Sequence, residues 1–225
     1  SSGGSGEVMT RLSEHQRTAG WKSDCYAIIE DDLRSHPFRL PKHTVAAATD
    51  QWILKRPSFL SPISLSRDRL ETSISAVPSS SNLIHLHWIN GVTSISRVSQ
   101  RFPGISIVWT MHDMSPFTGV CHQSLGCENY ANGCGTCPAV SLFSKSAPSR
   151  AFDKKRSDLA SAPVVLVAPS KWLADQARVS AVSRDKQIEV IPNPLSSAYS
   201  TVSKRMSQVH GENITLVLVA KDLAD

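Results

Sequence analysis

Short runs rich in β-branched residues alternate along this chain of 225 residues with segments of helical periodicity. Runs of this kind are typical of a parallel sheet that is buried on both faces. Six strands are predicted, at residues 23–29, 83–88, 105–111, 164–168, 189–191 and 214–220. Helices are predicted at residues 7–19, 92–100 and 171–179. The repeated order of strand, helix and strand predicts an α/β fold with a doubly wound parallel sheet and right-handed crossovers.

The helix boundaries carry specific signals. Gly20 follows the first helix as a C′ residue, and Ser170 precedes the last as an N-cap. Trp172, Leu173 and Ala177 are predicted to form the inner face of that last helix. Two stretches show no clean period: Asp31 to Pro62, with one helix predicted at 45–55, and the polar segment 196–211, a predicted linker.

Composition excludes several classes of protein. Hydrophobic residues make up 40% of the chain and charged residues 19%, which is ordinary for a folded chain and not for a disordered one. No apolar run approaches the roughly 20 residues of a membrane-spanning helix. The net charge of +5 is mild, and aromatic residues do not interleave with basic ones, so no nucleic-acid partner is expected. The dense basic cluster Lys154–Arg156 is interpreted as a solvated helix face, with a lipid-facing patch as the alternative.

Four of the five cysteines lie close together in a glycine-rich segment, 119–149, which is interpreted as an insertion. They are Cys121, Cys127, Cys134 and Cys137, while Cys25 stands apart. An odd count without a secretory signal favours a reducing compartment, and therefore a cytoplasmic protein. Four thiolates at this spacing predict a structural zinc site, with His122 as a spare ligand. Disulfides and a redox Cys-x-x-Cys remain as alternatives, and four thiolates leave no open position for a catalytic metal.

Histidines follow or end two neighbouring predicted strands. In open α/β sheets, ligands bind at the carboxyl ends of the strands. His112 and Asp113 come directly after one strand, before a turn that contains Ser115, Pro116 and Gly119, and they are interpreted as functional. His87 is either functional or structural, and His85 is interpreted as a hydrogen-bonded core residue. Near the N-terminus, Gly3–Gly6 precedes a helix, an arrangement that cradles a phosphate but also resembles an expression linker.

Several of these motifs together resemble glycosyltransferase family 4, in the bacterial branch that builds colanic acid and other exopolysaccharides. The resemblance is carried by Ile84–Gly91, Val108–Gly119, the cysteine segment up to Pro138, Val167–Leu173 and Val190–Pro194. It implies the GT-B architecture, in which two Rossmann-like domains face a cleft. The chain would then comprise an acceptor-side domain at 1–192, a hinge at 193–213, and the first strand of the donor-binding domain at 214–225.

The resemblance also assigns roles to individual residues. Gly3 and Gly4 match the glycine loop near the donor diphosphate, and His112 matches the histidine that contacts the transferred sugar, with Asp113 beside it. His87, Trp88 and Asn90 lie where contacts to the acceptor or sugar are expected. Such enzymes retain the anomeric configuration, use a nucleotide-sugar donor and a glycan or lipid-linked acceptor, need no catalytic metal, and are often peripheral at the cytoplasmic face of the membrane.

Two interpretations from different classes therefore remain open. The first is a retaining glycosyltransferase of polysaccharide biosynthesis, whose donor-binding residues lie largely in a second domain, so that the 225 residues alone are expected to be inactive. The second is a non-catalytic binding or scaffold module, derived from such an enzyme and held together by zinc. His112 separates them, because only the enzyme requires that side chain.

Overall fold

The computed structural model describes residues 4–26, 64, 74, 76–90, 92–140 and 146–195. The helices are α1 (Gly4–Thr18), α2 (Ile95–Arg101), α3 (Ser146–Ser161) and α4 (Lys171–Val179), and the strands are β1 (Leu83–His87), β2 (Ser106–Thr110), β3 (Val164–Ala168) and β4 (Ile188–Val190). Two 3-10 turns, Ser115–Phe117 and Asn129–Ala131, lie between β2 and α3. The chain divides into two compact units, Ser1–Asn193 and Pro194–Asp225, and all these elements belong to the first.

The four strands form one parallel sheet in the order β1-β2-β3-β4. The register pairs Leu83 with Ser106, Ile107 with Val164 and Leu166 with Ile188. Because the strands are parallel, their carboxyl ends all lie at the same edge of the sheet. The predicted α/β class with a parallel sheet is confirmed, and each of these four strands was predicted within about two residues of its observed ends, the usual uncertainty of such boundaries.

The hydrophobic core lies between the sheet and the helices that follow its strands. Helix α2 packs against α3, and α4 packs against β3 and β4. The side chains in this core are almost fully buried; they include Val98, Ile107, Trp109, Phe152, Leu159, Leu166, Leu173, Ala174 and Ala177. Burying a large apolar side chain stabilises a fold by about 1.5–3 kcal/mol, so this cluster holds the strand ends in place.

Both predicted helix-capping residues act as expected. Gly20 has φ of +87°, its N–H donates to the Arg17 carbonyl, and the Trp21 N–H donates to the Gln16 carbonyl, which together end α1 in a Schellman motif. At α4, the Ser170 hydroxyl accepts a hydrogen bond from the Leu173 N–H.

The predicted inner face of α4 is wrong at one position. Leu173 and Ala177 are buried as predicted, but the Trp172 side chain is 59% exposed, and Ala174 is buried in its stead. Ala177 is four residues after Leu173 and three after Ala174, so these three side chains share one face of the helix. Trp172, five residues before Ala177, lies to the side of that face. The exposed ring therefore contributes little to the core.

The strand predicted at 23–29 is not observed over its described part, residues 23–26. Ser23 is instead tied back to α1, since its carbonyl accepts hydrogen bonds from the Ser13 hydroxyl and from Arg17 Nε, and its own hydroxyl donates to Gln16. These contacts to a preceding helix satisfy the polar groups that a strand would offer to a neighbouring strand. The apolar run at 25–29, which predicted a strand, gives no sign of these contacts to α1.

Helix α3 was not predicted as an element, and it changes two interpretations. Its first residues, 146–149, were assigned to the cysteine-rich insertion but form the first turn of the helix. Its basic cluster is not a uniform solvated or lipid-facing surface, because Lys155 is buried, with 7% exposure, while Lys154 and Arg156 form exposed ion pairs with Asp158 and Asp153. A buried lysine cannot contact a lipid surface.

Several predictions concern residues outside the described part of the chain. They are Gly3, the segment 31–62 with its helix at 45–55, the linker 196–211, and the strand 214–220. Across the helices that the structure describes, none combines the length and the apolar character that crossing a membrane would demand.

Candidate functional site at the carboxyl ends of β1 and β2

Three histidines lie on one face of the sheet at the ends of β1 and β2. Successive side chains alternate across a strand, so His85 and His87 share a face, and the register places His87 opposite Thr110. His85 Nε2 is 2.8 Å from the Thr110 hydroxyl oxygen, and His87 Nδ1 is 3.0 Å from His112 Nε2. The ring centroids of His87 and His112 are 5.2 Å apart. The structure therefore brings His87 and His112 together beside the ends of β1 and β2.

Burial keeps these histidines neutral at physiological pH. It lowers the pKa of His87 to about 3, with further contributions from the positive charge that His85 and His112 would carry. It lowers the pKa of His85 to about 4, helped by His112. Burial also lowers the pKa of His112, although the carboxylate of Asp113 opposes this effect. The pair thus shares one N–H···N hydrogen bond between neutral rings, in which one ring donates and the other accepts.

Trp88 directly follows β1 in an unusual backbone conformation. Its φ is +42°, a region that a bulky residue rarely adopts, and its indole is 44% exposed. The ring stacks on the His122 imidazole at a centroid distance of 5.0 Å and an interplanar angle of 19°. Strain of this kind persists where the surroundings fix it, commonly at binding sites. One face of the indole is thus supported by protein while much of the side chain is open to solvent.

Asp113 organises the support beneath Trp88. One carboxylate oxygen accepts the Ser115 N–H at 2.8 Å, and the other accepts from His122 Nδ1 at 2.6 Å. Burial would raise the pKa of Asp113, but the hydrogen bonds from His122 and Ser115 outweigh it, and the pKa lies below its usual value. His122 Nε2 in turn lies 2.9 Å from the Ser64 hydroxyl. An ionised carboxylate therefore holds the imidazole on which Trp88 stacks.

Two further polar contacts fix the loop that follows β2. The Asn90 side-chain amide donates to the Ser115 hydroxyl at 2.6 Å, and so joins this loop to the one that follows β1. Lys155 Nζ donates to the carbonyls of Ser115, Thr118 and Gly119 at 2.6, 2.9 and 3.2 Å. Both contacts converge on the 3-10 turn Ser115–Phe117. The loop is consequently anchored from β1 and from α3.

Residues predicted as site residues fall into three groups in the structure. His87, Trp88, Asn90, His112 and Asp113 lie together at the ends of β1 and β2. The four clustered cysteines line one cavity nearby in the chain, described below. Gly4 is the first residue of α1, so the prediction that residues 4–6 precede the helix is wrong: they form its first turn. No hydrogen bond joins Gly4 to the histidines within the described part of the chain.

Sequence reasoning missed two residues of this site. His122 was assigned as a spare zinc ligand, but its ring bonds Asp113 and Ser64 and lies under Trp88. The spacing of nine residues between Asp113 and His122 carries no signal by itself, because a non-helical loop brings them together. Lys155 was hidden in a basic cluster, and nothing in the sequence distinguishes it from Lys154 and Arg156.

The fold is an α/β domain of the open parallel-sheet type, a class of domain in which ligands bind at the carboxyl ends of the strands. A stretch of 65 residues, 28% of this chain, is 32% identical to the "Putative colanic acid biosynthesis glycosyl transferase WcaC" of Escherichia coli (strain K12). That stretch covers 16% of the length of the E. coli protein. No model of a known protein family matches the chain, and no solved structure matches it.

Proposed function

We propose that this chain is the acceptor-side domain of a retaining glycosyltransferase of family 4, which transfers a sugar from a nucleotide-sugar donor to a glycan or lipid-linked acceptor in polysaccharide biosynthesis. The observation that carries the proposal is the hydrogen-bonded pair of neutral histidines, His87 and His112, beside the strained, exposed Trp88 at the ends of β1 and β2. The 32% identity over 65 residues to a putative glycosyl transferase supports it.

Trp88 is proposed as the platform on which a sugar ring lies. The C–H groups on one face of a pyranose are weakly apolar and pack on an aromatic face, while the hydroxyl groups need polar partners at the edge. The stacking on His122 and the bonds from Asp113 and Ser64 preset the indole orientation, so little conformational entropy is lost when the sugar binds.

His112 is proposed as the residue that contacts the transferred sugar near the reaction centre. Its Nε2 is engaged by His87, so Nδ1 is the nitrogen that would address a sugar hydroxyl. Because burial lowers its pKa, the ring forms neutral hydrogen bonds and adds no positive charge near an oxocarbenium-like centre. Asp113 is proposed as a positioning residue, since both of its oxygens are already engaged by Ser115 and His122.

The donor diphosphate is proposed to lie near the start of α1. A helix N-terminus offers unpaired N–H groups and a positive dipole end, which stabilise the charge that develops on the leaving phosphates. Gly4 begins this helix, and a Cβ added to it would meet no atom within 4 Å, so the backbone is open to close approach. The acceptor hydroxyl oxygen bonds to C1 of the sugar on the face from which the diphosphate leaves, and the hydroxyl proton passes to an oxygen of the departing phosphate.

The test is an assay of the protein expressed from its complete gene, with a panel of radiolabelled nucleotide sugars and membranes that supply lipid-linked acceptors. His112→Ala is expected to lower turnover by roughly 100-fold or more, the usual effect of removing one group that stabilises a transition state. His15→Ala is the matched control, because His15 lies on the exposed part of α1 and bonds only within that helix. Normal turnover by His112→Ala would overturn the proposal and favour the non-catalytic scaffold.

A further inference from the structure

The four clustered cysteines surround a single small cavity. It measures about 20 Å³ and is lined by Cys121, Cys127, Cys134 and Cys137, together with Thr118, Val120, Ser124, Asn129 and Tyr130. A volume near this size accommodates one water molecule or one monatomic ion, and no organic ligand. None of these four cysteines forms a disulfide in the structure. Four cysteines therefore line one space of atomic size.

Two contacts show how the sulfurs are held. The Gly119 N–H donates to Cys134 Sγ at 3.2 Å, and a hydrogen bond joins the thiols of Cys121 and Cys137. The pKa of Cys121 is raised above its usual value. The main cause is this hydrogen bond, followed by burial and by the negative charge that the three other cysteines carry when ionised. Four thiolates this close repel one another, so they would be deprotonated together only around a cation.

A buried positive charge lies next to this cluster. The Lys155 ammonium is buried, and no carboxylate lies within hydrogen-bond distance of it among the residues that the structure describes; its partners are three carbonyls. Burial lowers the pKa of Lys155 to about 8, and the negative charge of Asp113, with that of Cys134 and Cys121 when they are ionised, opposes this effect. A divalent cation with four thiolates carries a net charge of −2, and a buried ammonium is the counter-charge that such a centre needs.

We propose that this cavity binds one zinc ion through the sulfurs of Cys121, Cys127, Cys134 and Cys137, with Lys155 as the buried counter-charge. Thiolates select soft or borderline cations over magnesium and calcium, and four of them form a closed structural site. Over the part of the chain that the structure describes, no three His, Cys, Asp or Glu side chains already have the geometry of a metal site. Binding must therefore release the thiol protons and draw the side chains inward.

The test begins with the metal content and the thiol reactivity of the purified chain. We expect about one zinc per chain by mass spectrometry, with four thiols protected from an aromatic disulfide reagent until a chelator is added. Cys25 is exposed and lies outside the cluster, so it should react at once and serve as the internal reference. The proposal would be overturned if the protein contained no zinc and all its thiols reacted both without and with the chelator. It would also be overturned if disulfides were found among the four cysteines in protein purified under reducing conditions.

Variants then test the ligand set and the counter-charge separately. Cobalt(II) added to the metal-free chain should give the intense visible bands of a tetrahedral thiolate site, and zinc should abolish them. Replacing any one of the four cysteines by serine should weaken zinc binding at least about tenfold, while Cys25→Ser leaves it unchanged. If the serine variants do not fold, the cobalt spectrum of the unaltered chain still tests four-sulfur ligation. A spectrum typical of octahedral cobalt, or the absence of visible bands, would refute it. Lys155→Met should also weaken zinc binding about tenfold, and unchanged affinity would remove Lys155 from the proposal.

Discussion

Replacing the buried Lys155 by methionine tests how the loop after β2 is held in place. Methionine has a similar length and fills the same space, but it donates no hydrogen bond and carries no charge. The carbonyls of Ser115, Thr118 and Gly119 would then lose the ammonium that now lies 2.6 to 3.2 Å away. The substitution thus removes one anchor of the candidate site without touching a residue that faces a ligand.

Two opposing effects determine how much Lys155→Met changes the free energy of unfolding. Hydrogen bonds from a charged donor contribute about 2 kcal/mol each, so three of them contribute about 6 kcal/mol. Burial lowers the pKa of Lys155 to about 8, which corresponds to about 3 kcal/mol of desolvation that methionine does not incur. The expected loss in the free energy of unfolding is therefore about 3 kcal/mol, or roughly 6–12 °C in Tm for a unit of this size.

The assay is thermal and urea unfolding followed by circular dichroism, with a chelator present so that a metal in the cysteine cavity adds nothing. Lys154→Met is the matched control, because that lysine is half exposed and pairs with Asp158 on the same helix. Its loss should change the stability by less than about 0.5 kcal/mol. Stability of Lys155→Met equal to or above that of the unaltered chain would refute the reasoning, since desolvation would then exceed the three hydrogen bonds.

Three other predictions address the site and its neighbouring loop. At Trp88, glycine should give a chain about 1 kcal/mol more stable than alanine, since glycine adopts a φ of +42° without strain; equal urea midpoints would argue against strain. Because the pKa of His87 is lowered to about 3, its contribution to the free energy of unfolding is complete above about pH 6.5. Below that pH the contribution falls by about 1.4 kcal/mol per pH unit. His87→Asn should flatten the pH dependence of stability by that slope, and an unchanged slope would contradict burial as the cause. Gly119→Ala should cost about 1–3 kcal/mol, because the added Cβ would lie 2.5 Å from the Pro148 carbonyl oxygen, whereas Gly133→Ala meets no atom within 4 Å and should be near neutral in the same unfolding assay.

The parts of the fold that the sequence predicted are those encoded by local patterns. Strand β3 consists of five consecutive apolar residues, three of them valines, and the Ser170 cap lies directly before α4. The positions of His87 and His112 at strand ends could also be predicted from local patterns. Each of these signals depends on a few adjacent residues.

The parts that the sequence did not predict depend on contacts between distant residues. Burial of Lys155 requires carbonyls that lie 36 to 40 residues earlier in the chain, and a polar helix gives no sign of them. His122 bonds Ser64 across 58 residues. The positive φ of Trp88 is also invisible in the sequence, since tryptophan is an improbable residue for that conformation.

Gly119 connects one of the clustered cysteines with the loop of the candidate site. Its N–H bonds Cys134 Sγ, and its carbonyl accepts from Lys155, which also holds Ser115 beside Asp113. One peptide segment is thus common to the two proposed binding regions, so a change of its position on binding one ligand would alter the free energy of binding the other. By thermodynamic reciprocity, a sugar that tightens metal binding must itself bind more tightly when the metal is present, by the same factor. Measuring the affinity for either ligand with and without the other therefore gives the coupling free energy between the two regions.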